Sequence, residues 1–222
     1  YAAISKYMYQ RIRDFLKPKR LALIYNPVRD QFFQLGEERI NSLKKPSRIS
    51  LLYVGRLIRP KGVHKLVQWF PTVVKEFGDA ELHIVGDGPL LSYLYYMIHK
   101  NNLNQKVFIH GYTNNDHLMM LFRNSNIFIT ASYWEGFCLP VAEAAASAMP
   151  SVVREVYALR DHVDLGYAVG FKDDSPEAFV KAIGKVIDKY EKMSQRAYLI
   201  SRKLFYPSKV ANRVIKILET LS

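Results

Sequence analysis

From residue 21 onward the chain alternates short apolar runs with stretches whose apolar residues recur at helical spacing. LALIY (21–25) is short and apolar, and Asn26 and Pro27 end it. ISLLYVG (49–55) is continuously apolar, the pattern of a strand covered on both faces of a parallel sheet. VHKLVQWFPTVVKEF then sets Val63, Leu66, Val67, Phe70, Val74 and Phe77 at helical spacing, with a kink or break predicted at Pro71. ELHIVGDGP (81–89) reads as a strand and a glycine-rich turn, and LLSYLYYMIHKNN as a helix ending at Asn101 and Asn102. VFIHGY (107–112) is a strand, NDHLMMLFRN a short helix and NIFITAS (126–132) a strand. VAEAAASAM is a small-residue helix that must stop before Pro150. SVVREV and YAVGF give two further short strands. SPEAFVKAIGKVIDKY is a helix with Ser175 as N-cap, Pro176 first and Glu177 after it. PSKVANRVIKILETLS closes the chain as an amphipathic helix.

Strands alternating with helices predict an α/β fold, a Rossmann-like doubly wound parallel sheet. Ligands of such sheets bind in the loops beyond the carboxyl ends of the strands, which is where chemistry is to be sought.

Composition narrows the class. Of 222 residues, 49% are hydrophobic and 23% charged, so the chain packs a core rather than staying disordered. Lysine and arginine number 32 against 20 acidic residues, a net charge of +12 that favours anionic partners. Those basic residues are dispersed and form no recognised nucleic-acid motif, so nucleic acid is not an expected partner. Cys138 is the single cysteine, which excludes a disulfide framework and a cysteine zinc site and points to a reducing compartment. No apolar run approaches the ~18 residues of a membrane span. The start, at Tyr1 rather than Met, reads as part of a longer protein.

Three constellations sit directly after strands. In GRLIRPKG (55–62), Gly55 admits close backbone approach, while Arg56 and Lys61 bracket a loop suited to phosphate oxygens. In VGDGP (85–89), Gly86 and Gly88 suit a tight turn leading to a helix whose first amides can face an anion. In WEGFCLPVAEAAASAMPSVV (134–153), Glu135 precedes a helix with Pro140 in its first turn. The amides near Phe137, Cys138 and Leu139 would point outward there, and Glu143 falls near the end of that turn. Each feature also has an ordinary structural reading as a solvated cation, a βα turn or a surface acid. The six histidines (64, 83, 99, 110, 117 and 162) are scattered along the chain, and no metal-ligand spacing appears.

Taken in order, YNPV, YVGRLIRPKG, IVGDGP, VFIHGY and YWEGFCLPVAEAAASAMPSVV resemble the C-terminal half of retaining glycosyltransferase family 4. That half binds the nucleotide sugar in a two-Rossmann-domain (GT-B) fold. The resemblance covers roughly residues 5 to 220. It implies that Arg56 and Lys61 hold the donor diphosphate and that Glu143 binds the ribose hydroxyls. Glu135 would sit by the donor sugar as the catalytic-site acid. The Phe137, Cys138 and Leu139 amides would meet the distal phosphate or sugar, and Gly111, Tyr112 and Thr113 would lie against the base. The implied substrate is a UDP-, GDP- or ADP-linked sugar, with no cofactor and no metal: fixed cations and helix-end amides stabilise the departing diphosphate.

The chain departs from the family pattern at glycines. Cys138 and Ala148 stand where the family commonly has Gly, and Tyr157 and Ala158 occupy the region of a Gly-Gly pair. The resemblance divides the chain into residues 1–24, the tail of a missing N-terminal domain and linker; 25–205, the donor domain; and 206–222, a helix that would pack back on the N-terminal domain. Hexose transfer to a glycan or lipid-linked acceptor follows as the expected activity of the full-length protein, and the chain by itself is expected to be inactive or weakly active. A non-catalytic sugar-nucleotide-binding or scaffolding component is the alternative. The expected location is cytoplasmic, with peripheral contact at an acidic membrane face.

Overall fold

The structure, a computed structural model, describes residues 1–220. Its first third runs β1 (Ala2–Ala3), α1 (Lys6–Leu16), β2 (Ala22–Leu23), α2 (Asp30–Asn41), β3 (Ile49–Val54), a 3-10 turn (Arg59–Lys61) and α3 (Val63–Phe77). The middle continues with β4 (Ala80–Val85), α4 (Leu91–Lys100), β5 (Val107–Gly111), α5 (Asn115–Asn124), β6 (Ile127–Thr130) and α6 (Leu139–Ala146). The last part holds β7 (Ser151–Arg154), α7 (Leu159–Asp164), β8 (Ala168–Phe171), α8 (Pro176–Asp188), α9 (Tyr190–Leu204) and α10 (Pro207–Glu219).

Six strands form one parallel sheet in the order β5-β4-β3-β6-β7-β8. The chain builds outward from β3 to β5, returns to lay β6 beside β3, then builds outward the other way. The switch of direction lies between β3 and β6, where doubly wound sheets open a crevice for ligands.

Both faces of the sheet are covered, which explains the unbroken apolar runs. Neighbouring strand residues point to opposite faces: Leu51 and Tyr53 enter one core with Trp69, Phe70, Leu94, Phe179 and Ile183. Leu52 enters the other with Phe32, Phe33, Val141, Ala142 and Ala197. From Val141 to Ala146 every residue of α6 is buried, and its alanines let α2 and α9 pack against it.

Local signals explain several boundaries. Ser175 caps α8 by accepting from Ala178 N at 3.2 Å, as the sequence indicates. Of the kink or break expected at Pro71, the break is absent: helix α3 runs through that residue. Pro71 lies on the exposed side, and buried Trp69, Phe70 and Val73 hold the apolar side against the sheet. The run at 21–25 is not a strand of the main sheet: only Ala22 and Leu23 pair, with Ala2 and Ala3. Helices α1, α2, α7 and α9 are not among the elements that the apolar pattern predicts. Helix α1 buries no residue, and its first amides are held by Asp161, whose Oδ2 accepts from Lys6 N at 2.6 Å and Tyr7 N at 3.3 Å. Of the expected terminal helix, positions 221 and 222 lie outside the described residues.

Candidate functional site

The loops after β3 and β6 are stitched together at the switch point. Tyr133 N donates to Pro60 O at 2.8 Å, and the Ser132 hydroxyl donates to the same carbonyl at 3.3 Å. Gly62 makes the approach possible: its φ is +67°, and a Cβ there would lie 2.1 Å from Ala131 O. This seam brings Lys61 from one loop to Glu135 from the other, with Nζ donating to Oε1 at 2.6 Å. Glu135 is buried and Lys61 partly so, and the two charges neutralise each other at the crevice.

Beside the seam a cleft of about 700 Å³ opens across the ends of β3, β4 and β5. Gly55, Arg56, Gly86, Asp87, Tyr112 and Thr113 line it, together with Arg29 and Asn115 from elsewhere in the chain. Gly86, at φ +135°, forms its floor, and a Cβ would fall 1.9 Å from Gly55 O. Its amide donates to Gly111 O at 2.9 Å, so the three glycine-bearing strand ends are locked to one another. The Arg56 carbonyl accepts from the Tyr53 hydroxyl at 3.0 Å, leaving its exposed side chain at the rim. Tyr112 is 92% exposed, an unpacked ring at the mouth of the cleft.

Glu143 is the fifth residue of α6, at the end of its first turn as the sequence suggests, and is buried. Burial pushes its carboxyl up to about 7, against the opposing pull of the Arg29 guanidinium. Arg29 Nη2 stands 3.8 Å from Glu143 Oε1. Arg29 Nη1 donates to Asn115 Oδ1 at 2.8 Å, and the guanidinium lies 5.1 Å from the Phe32 ring centre.

The segment entering α6 is tightly held. Phe137 and Cys138 are buried, while Leu139 is 39% exposed. His162 anchors this segment: its Nε2 is 2.6 Å from Phe137 O, and its Nδ1 is 2.5 Å from the Tyr167 hydroxyl. With Nε2–H donating to the carbonyl, Nδ1 accepts from the phenol, and burial holds the neutral imidazole down to about 4. Cys138 has a left-handed backbone at φ 68°, and burial pushes its thiol well above the usual range. Ala148 (φ 54°) and Tyr157 (φ 46°) are left-handed too. Three of the four departures from the resembled family thus have a backbone that favours glycine, whereas Ala158 is right-handed at φ −68°.

The structure gathers the sequence candidates into three adjoining groups. Gly55, Arg56, Gly86, Tyr112 and Thr113 line the cleft; Lys61 and Glu135 pair at the seam; Glu143 joins the cleft through Arg29. Gly111, the last residue of β5, is not among the lining residues. Arg29, Gln31 and Asn115 lie outside the motifs that the sequence offers. The signal was the apolar spacing of Phe32, Phe33 and Leu35, which marks α2 and puts Arg29 at a helix start. Three histidines that look scattered in the sequence meet in space: His83 and His110 are 3.0 Å apart, and the His117 ring centre is 5.2 Å from that of His110. Among the described residues no group of three or more His, Cys, Asp or Glu side chains is placed to hold a metal ion.

Residues 36–203 match the family described as Glycosyl transferases group 1. The chain belongs to that family. This group 1 glycosyltransferase chain is 28% identical over 149 residues to an uncharacterised glycosyltransferase of Methanocaldococcus jannaschii, covering 64% of this chain and 38% of that protein. It is 26% identical over 176 residues to a component of the phosphatidylinositol N-acetylglucosaminyltransferase of Arabidopsis thaliana, covering 79% of this chain and 38% of the relative. Against N-acetyl-alpha-D-glucosaminyl L-malate synthase of Bacillus anthracis it is 26% identical over 174 residues, 74% of this chain and 44% of the relative. The chain therefore spans about two-fifths of the curated relatives it matches. Among solved structures, a glycosyltransferase from Rickettsia africae superposes with a TM-score of 0.79 at 17% identity, over 97% of this chain and 62% of that one. WaaG, a glycosyltransferase involved in lipopolysaccharide biosynthesis, superposes with a TM-score of 0.74 at 15% identity, over 96% and 60%. At such identities these likenesses establish the fold: one α/β half of the GT-B type. No helix among the described residues is long and apolar enough to cross a membrane.

Proposed function

We propose that this chain is the donor-binding half of a retaining, family 4-type glycosyltransferase, moving a hexose from a UDP-, GDP- or ADP-linked sugar to a glycan or lipid-linked acceptor. The observation that carries this reading is the Lys61–Glu135 pair at 2.6 Å, formed across the switch point and beside a cleft rimmed by Arg56. When the bond from the anomeric carbon to the phosphate oxygen breaks, its electron pair stays on the diphosphate. Arg56 and Lys61 are fixed cations where that charge grows, and such preorganised groups stabilise the transition state more than the ground state. Lys61 would divide its donors between Glu135 and the phosphate, and Glu135 would accept from hydroxyls of the sugar. Glu143 would accept from the ribose hydroxyls, with Tyr112 and Thr113 against the base. This arrangement calls on neither a cofactor nor a metal.

One relative is named as a subunit of a phosphatidylinositol N-acetylglucosaminyltransferase. Together with the charge of +12, this supports a lipid-linked acceptor and a protein working at an acidic membrane face from the cytoplasm. In the same reading residues 1–24 end a preceding acceptor domain, 25–205 form the donor domain, and 206–222 pack back on the first. The test is an assay of a full-length protein containing this chain, with UDP-, GDP- and ADP-hexoses. Donor hydrolysis or transfer that falls in Glu135→Gln supports the reading; no turnover with any donor leaves a non-catalytic sugar-nucleotide-binding or scaffolding component.

A further inference from the structure

Glu143 poses a physical problem. A carboxyl accepts from ribose hydroxyls most strongly when ionised, yet this one is buried in the helix that faces α2 and α9. Burial alone favours its neutral form, which is the weaker acceptor. One cation answers this: Arg29, whose Nη2 is 3.8 Å from Glu143 Oε1. Its charge opposes the effect of burial on that carboxyl.

Arg29 is itself held in place. Its Nη1 donates to Asn115 Oδ1 at 2.8 Å, and the same oxygen accepts from Gln31 Nε2 at 2.6 Å. Asn115 Nδ2 donates back to Gln31 Oε1 at 2.9 Å, so the amide pair is closed and its orientation fixed. Phe32 supports the guanidinium from beneath at 5.1 Å. Arg29 and Asn115 both line the cleft that holds Arg56 and Tyr112. The network therefore joins the start of α2, the start of α5 and the interior of α6 at one wall of the cleft.

We propose that Arg29 is a positioning residue for pentose recognition, holding the Glu143 carboxyl beside the cleft and favouring its ionised form. Its role in the protein's work rests on the donor-site reading above, but its effect on Glu143 does not. Without Arg29, Glu143 takes up a proton at higher pH, and a nucleoside diphosphate meets a weaker acceptor over the neutral range. A guanidinium satisfied by Asn115 alone would instead be a structural strut with no influence on the carboxyl.

The test is a carbon-detected NMR titration of glutamate carboxyls in the chain without ligand, with Glu143 assigned by its loss in Glu143→Gln. In Arg29→Gln the Glu143 midpoint moves up by roughly one pH unit, and in Arg29→Lys most of that shift is recovered. An unchanged midpoint in Arg29→Gln overturns the proposal, and thermal melts of the three proteins show whether each is folded. Calorimetry with ADP, GDP and UDP across the same pH range separates the two claims. If the parent chain binds none of them, the donor-site reading fails while the carboxyl titration still decides the role of Arg29. If the parent binds and the pH dependence of binding is the same in Arg29→Gln, the positioning role fails.

Discussion

Lys61 Nζ and Glu135 Oε1 meet at 2.6 Å across loops that leave the neighbouring strands β3 and β6. The contact is long-range in sequence and short-range in topology, because the reversal of strand order sets those two loops side by side. Removing one partner strands the other's charge. Lys61→Ala, which leaves buried Glu135 unpaired, should destabilise the chain by about 2 kcal/mol, between the cost of breaking a surface pair and a fully buried one. The charge-free pair Lys61→Met with Glu135→Gln should recover most of that loss. Urea melts of the single and double variants check both outcomes.

Glu143 should limit the stability of the ligand-free chain. Its folded carboxyl is raised from 4.5 to about 7, so the folded state holds a proton that the unfolded chain has released. Stability from this group is present below about pH 4.5 and is lost as pH rises through 7. Glu143→Gln should therefore stabilise the protein at pH 8 by about 1–3 kcal/mol and leave it unchanged at pH 4.5. Thermal melts of the two proteins at both values read the difference directly.

His162 acts in the opposite direction. Its folded imidazole is depressed from 6.5 to about 4, so the unfolded chain binds its proton first. The stability it contributes is present above pH 6.5 and is lost as pH falls towards 4, by up to about 3 kcal/mol. His110, also depressed to about 4, shares that window. A His162→Gln variant should be less stable at pH 8, having lost the anchor on Phe137, and should lose less on acidification than the parent. Denaturant midpoints across the pH range measure both slopes.

Glycine matters differently at Gly86 and at Cys138. Gly86→Ala would drive a Cβ to within 1.9 Å of Gly55 O and force the cleft floor apart. The expected loss is more than about 2 kcal/mol, with disrupted amide signals from Gly55 to Gly111. Cys138→Gly relieves a left-handed strain of roughly 1 kcal/mol while giving up a buried side chain of similar worth. Its stability should change by less than about 1 kcal/mol. Guanidinium melts compare the two variants.

Between residues 49 and 190 all but α7 was legible, because the strands are covered on both faces and read as unbroken apolar runs, while Ser175 and Pro140 mark helix starts by local chemistry. Helix α1 was not legible: it buries nothing and is fixed by distant Asp161. Helices α2 and α9 mix charges into their apolar spacing and are defined by packing on α6. The site followed the same rule. Arg56, Lys61, Gly86 and Glu135 sit next to strand ends, where position in sequence implies position at the crevice. Arg29 is brought to Glu143 only by the tertiary fold, and no local pattern near either residue announces the pair.

The measurement that bears most directly on the donor site is calorimetric titration of the chain with ADP, GDP and UDP, beside its Glu143→Ala variant. The preferred nucleotide should bind the parent and lose roughly 1.5–3 kcal/mol of affinity in the variant, about tenfold to more than a hundredfold. Equal affinity in the two proteins would contradict a ribose-binding role for Glu143 and, with it, the donor site.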